Sequence, residues 1–218
     1  MSTVPLKRGD YPQSGSDMQG REFIWTDADF VRIQDLIYKR AGISLHDGKH
    51  AMVYSRLSRR LRETGHKSFK EYLSWLESHN GDEWQEFINA LTTNLTSFFR
   101  EMHHFQLLHD YLVENKSRNG WRIWCSASST GEEPYSILMT VSEALKTGSK
   151  FSLIASDIDS KVLATASNGI YRVDDLKNVS EAQLRRFFLR GKATNNGMLK
   201  EIVLLMDFYQ VVIVVEVS

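Results

Sequence analysis

The sequence predicts an N-terminal all-α helical domain followed by the opening of a doubly wound α/β domain, and three features carry that expectation. Apolar residues recur at helical spacing as far as Leu91, the order then becomes strand, helix, strand, helix between 121 and 167, and small polar or acidic residues end each strand-like run. With 218 residues, 42% of them hydrophobic, the chain can bury one large core or two small ones.

Residues 1 to 21 carry Pro5, Pro12 and mostly polar neighbours, which bury too little surface to offset ordering entropy, so a flexible leader is expected there. Thr26 followed by Asp29 reads as a capping box. Phe30, Ile33, Leu36 and Ile37 then form one helical stripe, stopped by Gly42. A second helix is expected from about Lys49 to Thr64 on Val53, Leu57 and Leu61, closed by Gly65. The Ser68/Glu71 pair starts a third with Phe69, Tyr72, Leu73 and Leu76, and Trp84, Phe87, Ile88 and Leu91 mark a fourth. These four helices place a small helical domain over 22 to 92.

Another amphipathic helix, roughly Glu101 to Glu114, leads to a strand-like run from Trp121 to Ser126. A helix follows at once, with Pro134 in its first turn, where a missing N–H costs nothing, and Ile137, Leu138, Val141 and Leu145 on its buried stripe. Phe151 to Ala155 is the second strand, ending at Asp157, and Lys161 to Ser167 a short helix. Alternation of this kind implies parallel strands joined by crossovers, so the second domain is expected over 93 to 218.

Lys plus Arg equals Asp plus Glu at 27 each, so no global field makes nucleic acid or a membrane surface the default partner. The single Cys125 cannot pair within the chain and the polar start lacks the apolar stretch of a secretion signal, which together fit a reducing cytoplasm. The most apolar segment, Ile202 to Val217, is interrupted by Asp207, Gln210 and Glu216 and is too short and polar to span a bilayer.

In open α/β sheets ligands lie beyond the carboxyl ends of the strands, which singles out Ser126 to Glu133 and Ser156 to Asp159. The small residues Ala127-Ser128-Ser129-Thr130-Gly131 allow close backbone approach but match no full dinucleotide fingerprint. Glu132 and Glu133 then put two negative charges at a helix N-terminus, where a phosphate-binding enzyme would keep room for the anion. A cationic ligand is favoured over a phosphate; the other reading is that both carboxylates only complement the helix dipole. Asp157, 26 residues after Gly131, stands where an acid can accept from both hydroxyls of a ribose, and Asp159 is the better helix cap.

The strings TTNLTSFFRE at 92 to 101, STGEEPYS at 129 to 136, ASDID at 155 to 159 and SNGIY at 167 to 171 resemble the CheR-type chemotaxis receptor methyltransferases, over roughly 25 to 200. That resemblance implies a Rossmann-like, S-adenosylmethionine-dependent methyltransferase domain. It implies that Asn94, Thr96, Arg100, Glu133 and Asp157 contact the cofactor, with Glu133 near the methionine ammonium and Asp157 on the ribose. It also implies methyl transfer to glutamate side-chain carboxylates on the cytoplasmic helical bundle of a chemoreceptor, giving glutamyl methyl esters, by a protein expected to be a cytoplasmic monomer. A glutamate with a pKa near ~4.3 is already an oxyanion at neutral pH, so attack on a sulfonium methyl needs no general base. Catalysis can rest on holding nucleophile and methyl in line, for which effective molarities of ~10⁵ M are available, and Arg100 is the candidate for orienting a carboxylate there.

Between Lys49 and Lys70 seven Lys or Arg residues face one acid, Glu63, and Arg56, Arg59, Arg60 and Arg62 sit mostly opposite the apolar stripe. A solvated face, a nucleic-acid patch and, through the resemblance, docking onto acidic receptor helices are the three readings; no nucleic-acid partner is expected at zero net charge. No metal site is expected. Asp47-Gly48 interrupts the His46/His50 spacing, and His103, His104 and His109 lack ligand spacing.

From Ser180 to Lys200 the family pattern enters a small β subdomain, expected near 188 to 205. After Asp207-Phe208-Tyr209-Gln210 the chain runs into VVIVVEVS, where the family continues with an Asn-Leu adenine-contacting segment and with Asn-Arg and Tyr-Phe motifs. The expectation is therefore a domain cut short at its C-terminus, its tail either one edge strand or the product of a frame change. The alternative to an active enzyme is a remnant that only binds receptor or cofactor.

Overall fold

The computed structural model describes residues 21 to 118, 120 to 145, 149 to 190, 201 to 204 and 211 to 214; the leader expected over 1 to 21 lies, save Arg21, outside them. The chain folds as two compact units, Met1–Asn80 and Gly81–Ser218.

The first unit holds α1 (Asp27–Ala41), α2 (His50–Thr64) and α3 (Phe69–Ser78). Thr26 Oγ1 accepts from the Asp29 N–H while the Asp29 carboxylate accepts from the Thr26 N–H, which satisfies two of the donors a helix start leaves open. Gly42 and Gly65 close α1 and α2 in the left-handed conformation. A 3-10 turn, Asp47–Lys49, precedes α2, so the helix begins at His50 rather than Lys49. Both nearby imidazoles serve local packing: His46 Nδ1 accepts from the Gly48 N–H at 3.0 Å, and His50 stacks on Phe30 with ring centroids 3.7 Å apart. Phe23, Trp25, Phe30 and Phe69 add edge-on contacts around a core of Ile33, Ile37, Val53, Leu57, Leu61 and Leu73.

The second unit begins with α4 (Glu83–Leu91), grouped with the helical domain on sequence, whose Gln85 Nε2 donates to the Ile158 carbonyl at 2.8 Å and whose Glu86 pairs with Lys161. It continues through α5 (His103–Glu114), β1 (Trp121–Cys125), α6 (Glu132–Ala144), β2 (Phe151–Ser156), α7 (Ser160–Asn168) and β3 (Ile170–Arg172). α8 (Glu181–Phe187), β4 (Phe188–Arg190), β5 (Glu201–Leu204) and β6 (Val211–Val214) follow. One sheet is parallel in the order β1-β2-β6, with Cys125 beside Ala155 and Ala155 beside Ile213; among the described residues the tail thus supplies an edge strand. The other is antiparallel in the order β3-β5-β4. Residues 191 to 200 and 205 of the expected β subdomain lie outside the described residues.

Alternation along β1 and β2 turns Cys125, Leu153 and Ala155 inward, onto a core with Leu138 and Met139 of α6 and with Phe98, Phe99 and Tyr171. α5 starts two residues later than the sequence suggests. Phe99 and Glu101 take φ of 50° and 54°, a left-handed conformation that costs a non-glycine residue about 1 kcal/mol or more and cannot continue a helix. Burial of Phe98 and Phe99, worth about 1.5–3 kcal/mol each, offsets that cost and pins the segment to the sheet. Among the described residues no helix is long and apolar enough to cross a membrane.

Candidate functional site

Three segments meet at the carboxyl ends of β1 and β2: residues 92 to 101, the β1–α6 turn 126 to 131, and the β2–α7 turn 157 to 159. A closed circuit of hydrogen bonds ties them. Asn94 Nδ2 donates to Asp159 Oδ2 at 2.7 Å, and the Asp159 N–H donates to Asp157 Oδ1 at 3.0 Å. The Ser129 N–H donates to Asp157 Oδ2 at 2.8 Å, and Ser129 Oγ donates to the Asn94 carbonyl at 3.4 Å, which returns to the start. Thr92 Oγ1 adds a donor to Asp159 Oδ2 at 2.7 Å, and the Phe99 N–H donates to Ser136 Oγ of α6 at 2.9 Å.

The β1–α6 turn depends on its one glycine. Gly131 has φ of 103°, and a Cβ there would run into the Tyr171 hydroxyl and stand 3.0 Å from Ala166 Cβ and from Tyr135 Cε2. The Tyr171 hydroxyl donates to the Thr130 carbonyl at 2.7 Å and that of Tyr135 to the Ala166 carbonyl at 2.5 Å. Burial pushes both phenols up in pKa, that of Tyr135 to about 12, so both remain donors at neutral pH.

The two glutamates at the start of α6 part company. Glu132 is buried and its Oε2 accepts from Thr130 Oγ1 at 2.6 Å, which makes it a brace of the turn. Glu133 is exposed, and its Oε1 accepts from the thiol of buried Cys125 at the end of β1, 3.6 Å away. Burial first, then the charge of Glu133 and its hydrogen bond, push the Cys125 pKa up to about 12; Asp157 adds a smaller push. The thiol therefore keeps its proton and stays a donor, and the carboxylates of Glu133 and Asp157 both lie within electrostatic reach of it.

Of the residues singled out by sequence, Asn94 and Asp157 belong to the circuit, and Glu133 reaches the same strand ends through Cys125. Thr96 is half-buried in the 92 to 101 segment. Arg100 is exposed and folds back so that Nη1 donates to the Leu95 carbonyl at 2.6 Å, a bond that uses one of the five guanidinium N–H donors. Arg56, Arg59, Arg60 and Arg62 are on α2 in the other unit. Arg59 and Arg60 both pair with Glu63, Arg62 lies 3.5 Å from Glu22, and the Arg60 side chain is only 13% exposed, so this is not a uniformly solvated face.

Sequence reasoning missed Thr92, Ser129, Cys125 and Tyr171, and it credited Asp159 with capping alone. Asp159 does cap α7, accepting at Oδ1 from the Lys161 and Val162 N–H groups, but its other oxygen holds the 92 to 94 segment. No short-range pattern marks a bond that spans 65 residues.

The donor set fits S-adenosylmethionine. Among the described residues Glu133 accepts from Cys125 and Asp157 from the Ser129 and Asp159 N–H groups, and neither is in an ion pair with Lys, Arg or His. That is the arrangement a ligand carrying an ammonium and a sulfonium beside a ribose calls for.

Comparison with known proteins gives the same direction. Residues 94 to 214 match the family model for the CheR methyltransferase SAM binding domain, and residues 28 to 92 that for the CheR methyltransferase all-alpha domain. The chain is 53% identical over 179 residues to the chemotaxis protein methyltransferase of Escherichia coli, covering 80% of this chain and 61% of that protein. It is 45% identical over 196 residues to chemotaxis protein methyltransferase 2 of Pseudomonas aeruginosa, covering 88% and 70%. To the chemotaxis protein methyltransferase of Borreliella burgdorferi it is 32% identical over 196 residues, covering 85% and 69%. The chain thus spans about three fifths of the length of the first of these relatives.

Proposed function

Because the chain belongs to the CheR methyltransferase family, we propose that it transfers the methyl group of S-adenosylmethionine to glutamate side chains of a chemoreceptor. The observation that supports this most directly is the pair of acids Glu133 and Asp157, held at the ends of β1 and β2 by Cys125 and by the Ser129 and Asp159 N–H groups. Glu133, exposed at the positive end of the α6 dipole, takes the methionine ammonium. Asp157 uses one lone pair of each oxygen on the Ser129 and Asp159 N–H groups and keeps the others for the two ribose hydroxyls. Asn94 and Thr96 line the same ligand from the 92 to 101 segment.

When bound, S-adenosylmethionine supplies a methyl carbon made electrophilic by its sulfonium. The chain's task is placement. Arg100, held at one nitrogen by the Leu95 carbonyl, turns its remaining donors to the incoming glutamate carboxylate and sets an oxygen in line with that carbon. The glutamate is ionised at neutral pH and needs no base. The helical domain, taken as 22 to 92, docks on the receptor's cytoplasmic helical bundle through Arg56, Arg59, Arg60 and Arg62, and the protein works in the cytoplasm as a monomer.

Calorimetric titration with S-adenosylhomocysteine, followed by transfer of radiolabelled methyl to receptor membranes, tests this reading. Binding together with alkali-labile label on the receptor is the expected result. Binding without transfer selects the receptor- or cofactor-binding alternative, and no binding at saturating ligand removes the site assignment.

A further inference from the structure

Asp159 is 3% exposed yet carries a carboxylate, and burial of a charge is tolerated only where donors replace the lost water. Four donors do so here. Capping α7 occupies Oδ1 alone, with the N–H groups of Lys161 and Val162. Oδ2 accepts from Thr92 Oγ1 and from Asn94 Nδ2, both at 2.7 Å and both from a segment more than sixty residues earlier; the Thr92 hydroxyl shares its hydrogen with the Asn89 carbonyl, 2.9 Å away. The same residue's N–H fixes Asp157 Oδ1, so one side chain and its own peptide group govern two of the residues assigned to the ligand.

We propose that Asp159 is a positioning residue of the cofactor site, clamping the 92 to 96 segment against the end of β2 so that Asn94 and Asp157 face the ligand together. The inference rests on the cofactor assignment made above and adds a residue to it. Hydrogen bonds to a charged, buried acceptor are roughly twice as strong as neutral ones, which is why a carboxylate suits this place. One of the two Nδ2 hydrogens of Asn94 is taken by Asp159, which orients the amide and leaves it one N–H and its carbonyl oxygen for the ligand.

The test is a double-substitution cycle on the full chain, reading S-adenosylhomocysteine affinity by calorimetry for the wild type, Asp159→Asn, Thr92→Val and the combination. Thr92 is outside the proposed ligand set and outside the α7 cap; because its hydroxyl also reaches the Asn89 carbonyl of α4 at 2.9 Å, exchange in α4 is read beside that of 92 to 96. Loss of its hydroxyl is expected to weaken binding about threefold to tenfold, Thr92→Ser to restore it, and the combined variant to bind about as Asp159→Asn alone does. Effects that multiply independently, or no effect of Thr92→Val, overturn the clamp and leave Asp159 as a cap. Amide hydrogen exchange provides a ligand-free reading that also serves if Asp159→Asn fails to fold: residues 92 to 96 should exchange faster in Thr92→Val than in the wild type. Unchanged exchange there overturns the proposal even if the wild type binds, whereas a wild type that does not bind while exchange responds overturns the cofactor assignment and not the clamp.

Discussion

The Tyr171 hydroxyl donates to the Thr130 carbonyl and occupies the space that a Cβ on Gly131 would need. The β1–α6 turn is closed by a residue forty positions downstream, and glycine is required there on two counts, the positive φ and the contact. Gly131→Ala is expected to cost about 2–6 kcal/mol, combining backbone strain of about 1–3 kcal/mol with a similar overpacking term. Tyr171→Phe, which removes only the hydroxyl, should cost about 1 kcal/mol. Urea unfolding of the two variants checks both magnitudes, and equal effects would show that the hydroxyl, not the space, matters.

Glu132 and Glu133 should behave differently. Glu133→Gln removes an exposed charge and is expected to weaken S-adenosylhomocysteine binding about tenfold or more, with stability changed by no more than about 0.5 kcal/mol. Glu132→Gln disturbs a buried acceptor of the Thr130 hydroxyl and should lower stability by about 1–2 kcal/mol, with a smaller effect on binding. Titration calorimetry and thermal melting on both proteins separate the two.

Arg100→Ala is expected to leave donor affinity within a few-fold of the wild type and to lower the transfer rate by about tenfold to a hundredfold, since its role is to orient the acceptor carboxylate. Single-turnover transfer with saturating donor measures this, and an unaltered rate would take the role away from Arg100.

Stability should fall at alkaline pH. Cys125 and Tyr135 have folded-state pKa values raised from 9.0 and 10.0 to about 12, so the folded chain holds protons that the unfolded chain releases. Their contribution is complete below pH 9 and is lost as the pH rises toward 12, each at no more than about 1.4 kcal/mol per pH unit. Cys125→Ser should flatten the first part of that slope. Denaturant midpoints taken at several pH values from 8 upward provide the check, and a native thiol should resist alkylation until the chain unfolds.

On α2, reversing Arg59 and Arg62 to Glu is expected to weaken receptor binding at least tenfold while leaving S-adenosylhomocysteine affinity unchanged. Arg60 is a poorer probe, because its largely covered side chain pairs with Glu63 and its reversal would leave two carboxylates together. Receptor-vesicle pull-down at two salt concentrations distinguishes a docking role from a solvated face.

Much of the architecture could be read from local chemistry. Thr26, Ser68, Gly42 and Gly65 bound their helices as capping rules require, since a helix end is satisfied by residues within four positions of it. Asp157 stands out in the sequence because strand ends in α/β sheets are where ligands sit, and the structure places it at the end of β2. The start of α5 was misplaced, because nothing nearby announces that Phe99 and Glu101 adopt positive φ; that conformation is held by burial of Phe98 and Phe99 in a core built largely from later residues.

The sequence by itself determined the two-part organisation, the parallel strands, the family, and the acids at the strand ends, since these follow from periodicity and from strings of adjacent residues. Only the tertiary structure decided which acid does what: that Glu132 braces the turn while Glu133 stands open, that Cys125 backs it, and that Asp159 binds Thr92 and Asn94 as well as capping α7. The reason is that the pull on a carboxylate depends on donors within about 3 Å, and folding draws those donors from anywhere along the chain.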